Sequence, residues 1–183
     1  TASTTDYTGE FFEPMIEDLL MLEKDELKFE SILWSTNDKW SDVAQSAEIT
    51  VLHGREYIFD KVGDLLFKIS PYSFFQTNTK GAERLYALTK EFADLKGGET
   101  VIDLYAGTGT IGMYLARDAK KVFAIESEVS SVEDAKVNAT MNNIMNIEFF
   151  CGKVEKESSR LVFERPDVIV LDPPRAGMHP TAL

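Results

Sequence analysis

The spacing of apolar residues changes several times along the chain, and each change predicts a different kind of element. Residues 9–23 place apolar side chains three and four positions apart, as in a helix that is buried along one face. Short apolar runs separated by turn formers then predict strands paired in antiparallel hairpins. These runs lie at 27–34, 49–52, 57–61 and 65–69. We therefore expect residues 1–71 to form a small α+β region.

From residue 72 onward, strand and helix patterns alternate. Strand patterns lie at 100–104, 121–125, 147–150 and 167–171, and helix patterns lie at 80–94, 110–117, 129–142 and 154–163. Such alternation is typical of an α/β fold with a Rossmann-like, doubly wound parallel sheet. We expect residues 72–183 to form this second domain.

A glycine-rich loop follows the first strand of the alternating region. Asp103 lies near the end of that strand, and Gly107, Gly109 and Gly112 follow it. Glycines here allow a ligand to approach the backbone closely, although a tight strand-to-helix turn needs them for packing alone. Glu126 ends the next strand, where an acid can accept hydrogen bonds from both ribose hydroxyls. A dinucleotide-binding fold would also place an acid there.

A second polar loop follows the last strand pattern, with the sequence Asp172-Pro173-Pro174-Arg175. Two consecutive prolines keep the chain extended and remove two N–H donors. The Asp172 carboxylate would then face a planar ligand at the carboxyl end of the sheet, where such folds bind ligands. A rigid turn that merely ends the strand is the simpler alternative.

Composition and charge narrow the function further. The net charge of −12 does not favour phosphate binding, so a polyanionic substrate needs a local basic patch or another domain. The one cysteine, Cys151, is predicted to be a small buried filler, and neither His53 nor His179 has metal-ligand spacing, so we expect no metal site. We find no apolar run long enough to span a membrane and no secretion signal, and we expect a cytoplasmic protein.

Four segments together resemble the RNA uracil-C5 methyltransferases, which make 5-methyluridine in ribosomal and transfer RNA. They are Ile69-Ser-Pro-Tyr-Ser-Phe-Phe-Gln-Thr-Asn78, Asp103-Leu-Tyr-Ala-Gly-Thr-Gly-Thr-Ile-Gly112, Asn138-Ala-Thr-Met-Asn-Asn143 and Leu171-Asp-Pro-Pro-Arg-Ala-Gly177. The resemblance implies a class I fold that binds S-adenosylmethionine. It also implies that Gln76, Tyr105, Glu126 and Asp172 line the cofactor pocket, and that Gly107 allows the cofactor to approach the backbone closely. The aromatic residues Phe74 and Phe75, just before Gln76, are most simply core.

The same resemblance implies that some functional parts lie outside this sequence. In the family, the catalytic cysteine lies in a Ser-Cys-Asn-Pro segment after the Asp-Pro-Pro-Arg loop, and a catalytic glutamate follows it. Both are expected beyond Leu183, so we predict no catalytic residue within the chain. A basic RNA-binding domain is expected before residue 1. The chain by itself should bind cofactor and should not methylate uridine in RNA.

Two other functions stay open at this point. Asp-Pro-Pro loops followed by an aromatic residue hold amino groups in adenine and glutamine methyltransferases, although Arg175 stands where that aromatic residue would be. A non-catalytic module that binds a protein or RNA is the second alternative. We also expect the strand ending at Leu171 to lie at an open sheet edge, which favours self-association.

Overall fold

The computed structural model describes residues 9–24, 27–35, 49–161, 164–174 and 177–178. By contact density the chain separates into two compact units, residues 1–58 and 59–183. The boundary predicted between residues 71 and 72 therefore falls inside the second unit. As a division between functional domains, it stays a prediction.

The described residues of the first unit form one helix and one antiparallel strand pair. Helix α1 is Gly9–Met21, and strand β1, Ser31–Ser35, pairs with β2, Ile49–Gly54. The expectation that the strand would begin at residue 27 was wrong. The Leu27 N–H donates to the carbonyl of Lys24, and the Phe29 N–H donates to the Glu23 carboxylate, so these backbone groups are satisfied without a strand partner.

The second unit begins with a short strand pair followed by a helix. Strands β3, Ile58–Val62, and β4, Leu65–Ile69, pair with each other. The two-residue connection contains Gly63 in the left-handed region (φ +62°) and permits only antiparallel pairing, so the predicted hairpin is confirmed. Helix α2, Thr79–Ala93, follows after a stretch that contains Gln76.

A four-stranded parallel sheet forms the centre of this unit. Its strands are β5, Thr100–Leu104; β6, Lys121–Glu126; β7, Ile147–Cys151; and β8, Val168–Leu171. Helices α3, Thr110–Ala116; α4, Val129–Met141; and α5, Val154–Leu161, connect them. The strand order is β7-β6-β5-β8, with β5 parallel to both β6 and β8. The predicted doubly wound α/β fold is confirmed.

Apolar side chains on both faces of the sheet explain why it is covered on both sides. One cluster packs β5 and β6 against α3 and the β3–β4 hairpin, and includes Val101, Val122, Met113 and Phe67. The opposite face packs Ile102, Phe123 and Ile125 against Val154 and Leu161 of α5. Strands buried on both faces need continuous apolar runs, which is the pattern that β5 and β6 carry.

Candidate functional site

The strand order opens a crevice beside β5. From β5 the chain adds β6 and then β7 on one side, and it then returns to place β8 on the other side of β5. The strand order therefore reverses at β5. Open α/β sheets bind ligands at such a switch point, outside the carboxyl ends of the strands. The loop after β5, the end of β6 and the residues after β8 all meet there.

The glycine-rich loop has a backbone that few side chains tolerate. Tyr105, Gly107 and Gly109 have φ values of +66°, +55° and +80°. Positive φ is unfavourable for a bulky residue such as Tyr105, and strain of this kind concentrates at functional sites. A Cβ on Gly107 would have one neighbour within 4 Å among the described residues, the carbonyl oxygen of Phe74 at 3.8 Å. The space in front of Gly107 is therefore largely empty.

Asp103 is the buried acid at the base of the crevice. Its Oδ2 accepts a hydrogen bond from the Gly112 N–H at 2.8 Å, whereas Oδ1 is buried and has no partner among the described residues. Burial and, to a smaller extent, the charges of Asp172 and Glu126 raise the pKa of Asp103 to about 7, against the lowering effect of the Gly112 hydrogen bond. The two outer carboxylates are therefore close enough to act on Asp103 from both neighbouring strands.

Glu126 fixes the end of β6 to the glycine-rich loop. Its Oε2 accepts from the Gly107 N–H at 2.9 Å, and its Oε1 accepts from the N–H groups of Ser127 and Glu128 at 2.6 and 2.8 Å. A carboxylate oxygen has two lone pairs. Because the bonds named here use one lone pair of Oε2, this oxygen can accept one more hydrogen bond.

A small cavity lies between the glycine-rich loop and the segment of residues 74–76. It encloses about 20 Å³, which is the space of a single small group such as water or an ammonium. Four of the five predicted cofactor-binding residues line it: Gln76, Tyr105, Gly107 and Asp172. Glu126 lies next to this lining through its hydrogen bond to Gly107. A larger ligand must therefore extend from the cavity over the strand ends.

The cavity also has lining residues that the sequence did not single out as site residues. They include Asp103, Phe74, Tyr86 and Thr108, whose buried Oγ1 has no partner among the described residues. An acid inside an otherwise apolar strand was the available signal for Asp103. Tyr86 gave no such signal, because it belongs to the apolar stripe of α2.

Two expectations about single residues were wrong. Cys151 is exposed rather than buried, because it ends β7 at the edge of the sheet. Phe74 is 68% exposed and is not a core residue, whereas Phe75 is partly buried and packs against Phe67 with 5.6 Å between ring centroids. Arg175 and His179 lie outside the described residues.

The charges that line the cavity all have one sign. Asp103 and Asp172 are its ionisable carboxyl groups, and the lining described here contains no Lys or Arg. The described residues show no group of three or more His, Cys, Asp or Glu side chains that could hold a metal ion. Two acids without a base in the described lining favour a ligand that carries positive charge. Together with the fold, the site defines a doubly wound α/β protein with an acidic ligand cleft at the switch point.

The chain belongs to the tRNA (uracil-5-)-methyltransferase family, whose family model matches residues 22–183. An uncharacterized RNA methyltransferase from Clostridium tetani is 49% identical over 152 residues, which cover 83% of this chain and 33% of the relative. One from Caldanaerobacter subterraneus is 46% identical over 152 residues, which cover 83% of this chain and 34% of the relative. The predicted family resemblance is confirmed. The chain spans about a third of the length of these relatives.

A solved structure agrees with the family assignment. The tRNA (uracil-54, C5)-methyltransferase of Pyrococcus abyssi, solved in complex with S-adenosyl-L-homocysteine, is 34% identical with a TM-score of 0.66. The similarity covers 85% of this chain and 38% of that one. In the part of the chain that the structure describes, no helix has the length and apolarity needed to cross a membrane.

Proposed function

We propose that the chain is the cofactor-binding part of an RNA methyltransferase that transfers a methyl group from S-adenosylmethionine to C5 of a uridine. The observation that carries the proposal is the acidic cleft at the switch point, in a chain that belongs to this family. A tRNA or ribosomal RNA uridine is the proposed substrate. The predicted cytoplasmic location is part of the same proposal.

The charge of the cleft supports a cationic cofactor over a dinucleotide. S-adenosylmethionine carries a positive sulfonium at the reacting centre and a positive ammonium, and Asp103 and Asp172 would oppose these charges. The pyrophosphate of a dinucleotide would instead lie near carboxylates, with no Lys or Arg in the described lining. Unpartnered buried oxygens on Asp103 and Thr108 offer acceptors to the ammonium or to a hydroxyl of the cofactor.

The proposed roles of the five predicted residues follow from their positions. Glu126 would accept a hydrogen bond from one ribose hydroxyl through the remaining lone pair on Oε2. The sequence alone suggested bonds from both hydroxyls. Gly107 leaves space for close approach, and Tyr105 and Gln76 form opposite walls. Asp172 lies where the cofactor meets the substrate. When bound, the cofactor supplies an electrophilic methyl group.

The nucleophile that activates uracil is proposed to come from outside these residues. A thiolate must add to C6 of the ring before C5 can attack the methyl group, and a base must then remove the C5 proton. Cys151 ends β7, which is separated from β8 by β6 and β5. Three strand spacings amount to about 14 Å, which is too far for Cys151 to reach a base held beside Asp172.

Calorimetric titration with S-adenosylhomocysteine tests the proposal. We expect a dissociation constant on the order of micromolar, and much weaker binding of NAD⁺, because the dinucleotide brings two negative phosphates to the carboxylates. Incubation of the chain with S-adenosylmethionine and uridine-containing RNA should yield no 5-methyluridine by mass spectrometry. A folded chain that binds neither ligand, or binds NAD⁺ better, would contradict the proposal.

A further inference from the structure

A row of polar side chains along α4 and its C-terminal cap packs against the β3–β4 hairpin. Asp134, Asn138 and Asn142 follow one another at four-residue spacing, and Asp134 and Asn138 are 1% and 0% exposed. Buried polar groups are costly unless they are hydrogen-bonded. The row must therefore have specific partners.

Those partners are backbone groups at alternate residues of β4 and just beyond it. Asn142 accepts from the Leu66 N–H at 2.9 Å and donates to the Leu66 carbonyl at 2.7 Å. Asn138 makes the same pair of bonds with Lys68, at 2.7 and 3.1 Å. Four helical residues rise about 6.0 Å and two strand residues about 6.7 Å, so the two rows stay in step. The helix side chains thus take the place of a neighbouring strand.

At the end of this row, Asp134 holds a turn rather than a strand. Its carboxylate accepts bonds from Lys68 Nζ at 2.9 Å, the Ser70 N–H at 2.8 Å, Ser70 Oγ at 2.9 Å and Ser73 Oγ at 2.8 Å. The Ser73 N–H closes the turn on the Ser70 carbonyl at 3.0 Å. Burial acts to raise the pKa of Asp134, but these side-chain and backbone hydrogen bonds outweigh it and lower the pKa, so the carboxylate is charged.

The residues directly after this turn form one wall of the cofactor cleft. Phe74, Phe75 and Gln76 all line the cavity; Phe75 packs against Phe67, whereas the Phe74 side chain is exposed and adds little burial to this wall. The opposite wall is also tied to α4, because Asn138 Nδ2 lies 3.5 Å from the Thr108 carbonyl. One helix therefore contacts the glycine-rich loop and the turn that precedes the other wall.

We propose that Asp134 is a positioning residue for cofactor binding, which holds residues 74–76 against the glycine-rich loop by fixing the turn of residues 70–73. The inference rests on the proposed function, because it assumes that the cleft binds the cofactor. Asp134 itself does not line the cavity. It acts through Ser70 and Ser73, and its loss lowers the fraction of molecules with a closed wall.

The test compares variants of the full chain by calorimetry with S-adenosylhomocysteine. Asp134→Asn keeps the size of the side chain but loses its charge and an acceptor oxygen. We expect its dissociation constant to rise about tenfold, as when only a tenth of the molecules have the wall in place. The matched control is Asn142→Ala, which removes three hydrogen bonds to backbone groups at the far end of the same row and should leave the affinity unchanged.

A milder variant keeps the test decisive if Asp134→Asn does not fold. Ser73→Ala removes one hydrogen bond to the Asp134 carboxylate and keeps the ion pair between Asp134 and Lys68. It should raise the dissociation constant about threefold. Equal affinity of this variant and the wild type would overturn the proposal. Equal weakening by Asp134→Asn and Asn142→Ala would also overturn it, because the row would then act only on stability.

Amide hydrogen exchange separates this inference from the proposed function. Exchange at residues 72–77 should speed up in Asp134→Asn and stay at the wild-type rate in Asn142→Ala, whether or not a ligand binds. If the wild type fails to bind S-adenosylhomocysteine, the proposed function fails while this exchange pattern still tests the positioning of the wall. Unchanged exchange in Asp134→Asn would sink the positioning role.

Discussion

Asp103 is affected by two acids that are distant from it in sequence. Asp103 is buried between the neighbouring strands that present Glu126 and Asp172, and both raise its pKa. A cation placed among them would relieve this repulsion. Functional sites often carry such groups at a cost in stability, because the arrangement suits the ligand rather than the empty fold.

Asp103 makes the free energy of unfolding depend on pH, and this free energy falls as the pH rises. The pKa of Asp103 is raised from 3.8 to about 7, so the folded chain holds a proton that the unfolded chain has lost between these values. The stabilising contribution of this group is complete below about pH 4 and is lost as the pH rises through about 7. We therefore expect Asp103→Asn to be more stable than wild type by about 4 kcal/mol at pH 8 but not at pH 4.

Urea unfolding of both proteins across this pH range measures the effect. The difference between variant and wild type isolates Asp103 from the other acids. The same substitution should weaken S-adenosylhomocysteine binding, since it removes a carboxylate from the cleft. A free-energy difference that stays constant from pH 4 to pH 8 would contradict the assigned protonation of Asp103.

Two glycines of the loop should respond differently to alanine. A Cβ on Gly112 would lie 2.9 Å from Asp103 Oδ2 and 3.1 Å from Ile147 Cδ1, so Gly112→Ala should lower the free energy of unfolding by about 2 kcal/mol. Gly107→Ala has open space and costs only about 1 kcal/mol for its positive φ. Its methyl group faces the opposite wall and should weaken S-adenosylhomocysteine binding about tenfold. Thermal unfolding measures the stability of the two variants, and calorimetry measures their affinity for S-adenosylhomocysteine. Equal losses of stability and of affinity in the two variants would contradict this prediction.

The sequence predicted which residues line a common cavity better than it predicted their hydrogen bonds. The positions of strand ends and the family motifs singled out Gln76, Tyr105, Gly107 and Asp172. In the structure these four residues line one cavity. The spacing of Glu126 after Asp103 showed that it ends the adjacent strand, but not that its carboxylate already accepts three backbone N–H groups. Such bonds depend on the loop conformation, which a residue pattern does not specify.

At the scale of elements, periodicity predicted the parallel sheet because its strands are apolar on both faces. Strand β5 has the predicted bounds, and each of the other three strands differs by one residue at one end. The buried face of α4 could not be predicted in the same way. Asp134, Asn138 and Asn142 have the composition of a solvated face, and only the unpaired edge of β4 explains why they are buried. A pattern based on hydrophobicity assigns such a face to the surface.

At the scale of the whole molecule, charge and exposed apolar surface act in opposite directions. The net charge of −12 keeps copies apart, whereas β8 lies at the edge of the described sheet with Ile169 and Leu171 54% and 45% exposed. Exposed apolar edges favour pairing between chains, and a charged side chain on the edge prevents it. Self-association of this chain stays a prediction.

Sedimentation velocity tests that prediction with a matched pair of variants. Wild type should show a concentration-dependent dimer or larger species, and Ile169→Lys should be monomeric because the added charge blocks edge pairing. Met145→Lys is the control, since Met145 is 86% exposed but lies between α4 and β7, away from β8. A wild-type chain that stays monomeric at high concentration would rule out the edge as a site of association.

The central claim is that the crevice beside β5 is the site of the cofactor. A crystal structure of this chain soaked or grown with S-adenosylhomocysteine tests it most directly. We expect electron density for the ligand over the carboxyl ends of β5 and β6, with the ribose at Glu126 and the ligand in contact with Gln76 and Asp172. Density at any other surface, with these side chains free of ligand, would contradict it.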